Sequence, residues 1–156
     1  MSDLHGVDAV AGYERQIDQW LASFAESNPV IAAIDRGEGP APRWYVRMRG
    51  EDKEFITVWL TLGQRTLRYE AYVMPAPEEN AATLYENLLR RNQALIGHHF
   101  AIGVEDAVFL RGDLPLAVLS EDELDRAIGS LYATTEQVFQ GLLRVGFASR
   151  FAPPPN

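Results

Sequence analysis

The chain has 156 residues, enough for one domain with its own core, and its 47% apolar and 23% charged residues are a globular rather than a disordered mix. It contains no cysteine, which excludes thiol catalysis, thiolate metal sites and disulfide staples. Its net charge of −8 repels phosphate backbones at long range and argues against nucleic acid as a partner.

The opening residues carry acids and a glycine where a signal peptide needs a basic start and an apolar run. No stretch approaches the ~20 apolar residues of a membrane span. A cytoplasmic protein without membrane contact is the expectation. Residues 1–7 are expected to be flexible, 8–146 to form a single domain, and 147–156 to form a flexible tail.

Tyr13, Ile17, Trp20, Leu21 and Phe24 recur at helical spacing and predict a first helix over residues 8–27. Asn28-Pro29 ends it, because a residue before proline is pushed out of the α region. A short apolar segment, 30–34, leads into a loop over 35–42 that is broken by two glycines and two prolines. Three strands follow, marked by a period of two. Trp44, Val46 and Met48 oppose Arg43, Tyr45, Arg47 and Arg49. Ile56, Val58, Leu60 and Leu62 oppose Phe55, Thr57, Trp59 and Thr61. Leu67, Tyr69, Ala71 and Val73 oppose Thr66, Arg68, Glu70 and Tyr72. Gly63-Gln64 suits a two-residue hairpin turn with glycine in the positive-φ position.

Pro77 and the acids Glu78 and Glu79 suit the start of a second helix. It carries Ala81, Leu84, Tyr85, Leu88 and Leu95 on one side and is closed by Gly97. Two short strands over 99–104 and 107–111 meet at Glu105-Asp106 as a hairpin, and 112–116 reads as a turn with an extended exit. Ser120 and Glu123 form a capping box for a last helix over 121–145. Leu124, Ile128, Leu131, Thr135, Val138, Leu142 and Val145 make its seam, widened by Tyr132, Phe139 and Leu143. So broad a stripe predicts a helix lying across the sheet rather than a coiled coil.

The predicted order is α-βββ-α-ββ-α, an α+β domain with a five-stranded, mainly antiparallel sheet. The run RWYVRMRGEDKEFITVWLTLGQRTLRYEAYVMPAPEENAATLYENLLRRN, followed by FAIGVEDAVFLRGDLPL and DELDRAIGSLYATTEQVF, resembles the YbjN-domain family over residues 43–146. Residues 74–80 are its most distinctive piece. The element order also resembles the type III secretion chaperone-like fold, whose small homodimers bind partner proteins. The resemblance implies a sensory-transduction regulator and brings no catalytic residues to transfer.

The residues themselves offer no catalytic constellation. His98 and His99 are adjacent, so on a strand their rings point to opposite faces and do not share a metal; His5 lies apart in the terminus. Glu121, Asp122, Glu123 and Asp125 suit a helix N-terminus and lack the spacing of a calcium loop. There is no G-x-S-x-G elbow and no glycine-rich phosphate loop. No enzyme, cofactor or metal is expected.

What remains is the side of the sheet that carries Tyr45, Arg47, Phe55, Trp59, Arg68 and Tyr72, with Arg43 and Arg49 beside them. Large aromatics among arginines are the residue types enriched at protein interfaces. If a helix or loop covers this side its aromatics are core; if none does, they are an interface. The expectation is a protein-binding adaptor or regulator that forms a homodimer. A small-ligand sensory regulator is the alternative, and it requires an enclosed apolar pocket with convergent polar groups.

Overall fold

The computed structural model describes residues 6–151. Helix α1 (Val7–Ser27) is followed by β1 (Ile31–Arg36), β2 (Arg43–Arg49), β3 (Phe55–Leu62) and β4 (Thr66–Met74). Then come α2 (Ala81–Asn92), β5 (His99–Ile102), β6 (Val108–Pro115) and α3 (Glu121–Gly146). The strands form one antiparallel sheet in the order β1-β2-β3-β4-β6-β5. The α+β class stands, with six strands in place of the expected five.

The added strand is β1, which pairs with β2 from Ile31 opposite Met48 to Arg36 opposite Trp44 and carries a register shift between Ile31 and Ala33. An irregular edge strand half-covered by a helix has no clean inside and outside, so its sequence lacks alternation. The 112–116 segment is also sheet: β6 runs through Gly112 to Pro115, beside β4. Gly112 is there because the Tyr69 ring crosses its strand. A Cβ at 112 would lie 2.3 Å from the Gly97 carbonyl oxygen and 2.5 Å from that ring.

Three further corrections are local. Gly63 does not take a positive φ; it pairs with Thr66, leaving Gln64-Arg65 as the turn. Helix α2 ends at Asn92 rather than near Gly97, because the Asn92 side chain leaves the helix face for the main chain of Phe100. Its Oδ1 accepts from the Phe100 N–H at 2.7 Å, and its Nδ2 donates to the Phe100 carbonyl at 3.2 Å. That occupies backbone groups at the free edge of β5, which would otherwise be open to another strand. Finally, Pro77, Glu78 and Glu79 do not open α2. Asn80, at φ 55°, precedes it, and the two acids serve the end of α3 instead.

All three helices pack on the same side of the sheet. Ile17 and Leu21 of α1, Leu84 and Leu88 of α2, and Leu124, Leu131, Val138 and Leu142 of α3 meet Trp44, Val46, Ile56, Val58, Leu60, Leu67 and Ala71 in one core. Each such aliphatic side chain contributes roughly 1.5–3 kcal/mol by leaving water. The Ser120 hydroxyl accepts from the Glu123 N–H at 3.1 Å, as a capping residue should. The Glu123 carboxylate turns to Arg126.

Two joints fix α3. Its Glu136 carboxylate accepts the backbone N–H groups of Glu51, Asp52 and Lys53 at 2.9, 3.1 and 3.3 Å, holding the β2–β3 turn. At its C-terminus, residues 74–80 cap the last turn. The N–H groups of Glu78 and Glu79 donate to the Gly146 carbonyl, and Asn80 Nδ2 donates to the Val145 carbonyl. Beyond α3, a 3-10 turn (Ala148–Arg150) is tied back by Glu79 to Ser149 and by Glu78 to Arg150. The rest of the two expected flexible termini, residues 1–5 and 152–156, lies outside the described residues.

The uncovered sheet face as candidate site

With every helix on one side, the other side of the sheet is left without a helical layer. The period of two sends Tyr45, Trp59 and Tyr72 there, opposite the core residues of β2, β3 and β4. Arg47 and Arg68 are exposed on the same side, and Phe55 lies half-buried at the start of β3. The structure thus brings the six residues singled out in the sequence onto one surface.

The aromatics touch in series. Tyr45 and Trp59, directly opposite in register, have ring centroids 6.0 Å apart at 87°. Trp59 reaches Phe109 at 6.0 Å and 64°, and Phe109 reaches Tyr72 at 5.6 Å and 88°. Edge-to-face pairs of this kind are worth about 0.5–1.5 kcal/mol beyond their burial. Phe109 is the fixed centre of the row, 2% exposed, with the β5–β6 turn folded over it. A Cβ on Gly103 would come within 2.4 Å of its ring. Phe109 was not among the expected residues. The signal was present, because Val108 and Leu110 point into the core and so send the residue between them outward.

Charge is distributed unevenly over this face. Toward β6, cations are paired: Arg68 with Asp113 at 3.1 Å and Arg111 with Glu70 at 2.7 Å. Toward β2, Arg43, Arg47 and Arg49 make no ion pair among the described residues. The Arg47 guanidinium lies 3.8 Å from the centroid of the Phe55 ring, a close cation–π contact. Arg49 donates to the Pro29 carbonyl at 3.1 Å, and the buried Nε of Arg43 has no acceptor. Burial, with a smaller contribution from the Glu105 charge, raises the Tyr72 phenol above its ordinary pKa. The face is therefore an aromatic row with a cationic flank, on a chain whose net charge is −8.

The remaining candidates separate. His98 is buried, with Nε2 2.9 Å from Thr134 Oγ1, and burial lowers its pKa; His99 is exposed on β5. No group of three or more His, Asp or Glu side chains able to hold a metal ion occurs among the described residues. An apolar groove of about 270 Å³ lies between α2 and β5, lined by Tyr85, Leu88, Leu89, Phe100 and Ile102. Its one amide side chain, Asn92, bonds Phe100 through both ends. Among the described residues no helix is long and apolar enough to cross a membrane.

Uncharacterized proteins of Mycobacterium tuberculosis (strain ATCC 25618 / H37Rv) and Mycobacterium bovis are each 34% identical over 114 residues, 73% of this chain. An uncharacterized protein of Mycobacterium leprae is 32% identical over 69% of the chain. The match spans 62% of the length of the first two relatives and 58% of the third. Among solved structures, the heterodimeric ExoU–SpcU complex from the type III secretion system of Pseudomonas aeruginosa aligns with a TM-score of 0.49 and 18% identity. That alignment covers 80% of this chain and 95% of the other. Residues 16–144 match the family described as "Putative bacterial sensory transduction regulator", and the chain belongs to that family, YbjN.

Proposed function

We propose that the protein is a non-enzymatic, cytoplasmic protein-binding regulator that forms a homodimer and uses the uncovered sheet face to hold a segment of a partner protein. The observation that carries the reading is the row Tyr45–Trp59–Phe109–Tyr72 beside the unpaired arginines of β2. A buried aromatic centre, half-exposed aromatic neighbours and arginines at the margin have the make-up of an interface anchor and its rim. Charge complementarity selects a segment that combines acidic with large apolar residues. Membership of a family described as sensory-transduction regulators is consistent with that role. For the small-ligand alternative, the apolar α2–β5 groove is open and its amide is already engaged, so it lacks the free convergent polar groups such a site needs.

The test pans a displayed random-peptide library against the wild type and against Trp59→Arg. The expected result is enrichment of acidic, aromatic-containing peptides that bind the variant at least about tenfold more weakly, or ~1.4 kcal/mol. The variant's circular dichroism should be unchanged. Failure to enrich, or peptides indifferent to Trp59→Arg, overturns the binding reading. Sedimentation equilibrium at micromolar concentration tests the dimer separately, and a monomer throughout refutes it.

A further inference from the structure

Thirteen of the 14 basic residues are arginine, and Lys53 is the only lysine. An arginine cannot act as a nucleophile at neutral pH, whereas a desolvated lysine amine can. The single primary amine among the side chains is seated between two aromatic rings. Its backbone N–H is held by Glu136, and its Nζ lies 5.5 Å from the centroid of the Tyr72 ring and 5.1 Å from that of Phe139. Two elements far apart in sequence, β4 and α3, thus supply the two walls of an aromatic slot.

The charged groups around the slot do not neutralise Lys53. Glu51, Asp52 and Glu54 flank it in its own turn, and Glu136 of α3 is occupied with three backbone N–H groups. The facing group of β4 is the neutral Tyr72 phenol, with Glu105 beyond it. Among the described residues no carboxylate forms an ion pair with Nζ. Ring faces more than 5 Å away return only part of the hydration that burial removes. Burial accordingly lowers the Lys53 pKa, in the direction that enriches the reactive neutral amine.

We propose that Lys53, in its slot between Tyr72 and Phe139, is an acyl-acceptor site that takes an acyl group from an activated donor, an acyl phosphate or a thioester. The neutral Nζ attacks the donor's carbonyl carbon, and the tetrahedral adduct expels phosphate or thiolate. A C–N amide bond replaces the C–O or C–S bond, the surplus amine proton passes to solvent, and nothing is oxidised or reduced. The product amide carries no charge. Acylation therefore ends both cation–π contacts and loosens the β2–β3 turn from Tyr72, at the margin of the uncovered face. The site does not depend on that face being a protein-binding surface.

The experiment incubates the full chain, in separate arms, with acetyl phosphate and with acetyl-CoA across pH 6 to 9.5 (a chosen range spanning neutral to the lysine region). A peptide of residues 47–59 in the same tube is the solvated reference, and mass spectrometry resolves the sites. Lys53→Arg reports acylation of the terminal amine alone. Lys53 in the folded chain is expected to react several-fold faster than in the peptide, with its rate profile displaced to lower pH. Acceleration by one donor names the donor class, and acceleration by both leaves activated acyl groups generally as the substrate. Phe139→Leu, or Tyr72→Leu should the first not fold, is expected to return the rate toward that of the peptide. A folded-chain rate no greater than the peptide's with both donors, or full acceleration retained without an aromatic wall, overturns the proposal.

Discussion

The two faces of the β2–β3–β4 meander are built from the same residues taken alternately, yet they have opposite fates. The inner face carries Val46, Val58, Leu60 and Ala71, all fully buried beneath the helices. The outer face carries Tyr45, Trp59 and Tyr72, larger side chains that are left partly exposed among arginines. Apolar character alone does not separate them. What separates them is polar equipment: inner side chains are mainly aliphatic, and the two inner rings, Trp44 and Tyr69, have their polar atoms met by Asp18 and the Gly97 carbonyl, while outer ones are mainly rings and guanidinium groups that remain satisfied when wet.

The comparison is tested most severely by neighbouring residues on one strand. Leu60→Ala is expected to cost about 2–5 kcal/mol in urea unfolding, since it opens a cavity in a packed core. Trp59→Arg, one position earlier, is expected to leave the domain folded and to cost about 1–3 kcal/mol, the worth of its two ring contacts. The same variant should weaken a bound partner segment at least about tenfold, or ~1.4 kcal/mol, measured by calorimetry. Should Trp59→Arg unfold the domain, the outer face is core and the contrast between faces collapses.

Smaller effects sharpen the account of the covered side. Glu136→Ala removes the acceptor for three backbone N–H groups of the β2–β3 turn and should cost about 1–2 kcal/mol. Hydrogen exchange at residues 51–53 should rise ahead of exchange in the core strands. The least effect is a pH dependence from His98. Burial lowers its folded pKa below the unfolded value, so the unfolded chain binds more protons near that range. Stability should therefore fall as pH drops through the ordinary histidine range and level off below the folded pKa. His98→Gln should flatten that part of the profile in denaturant titrations at several pH values.

Much of the fold was legible because strict alternation in β2, β3 and β4 and the Ser120 cap are local signals. Trp59 was assigned to the outer side on register alone, and the structure puts it there. The failures have a common cause in contacts made at a distance. β1 lacks alternation because an edge strand with a shifted register has no fixed inner side. Gly112 reads as a turn residue until the Tyr69 ring is seen lying on it. Glu78 and Glu79 read as helix-starting acids, yet their backbone N–H groups both serve the Gly146 carbonyl at the end of α3. That the outer face would be left uncovered was not legible, since amphipathic helices fit either side until all three are placed.

The joint at residues 74–80 has a consequence for the chain as it leaves the ribosome. The six strands are complete once Pro115 has emerged, but the inner face then lacks Leu124, Leu131, Val138 and Leu142, and α3 has no C-terminal cap. At ~5–20 residues per second, that unfinished sheet persists for seconds before Gly146 can meet Glu78 and Glu79. During this interval its greasier side is the helix-facing one, the reverse of the finished molecule. A nascent-chain binder would engage Leu60 and Val58, whereas the finished molecule presents Trp59 on its uncovered face.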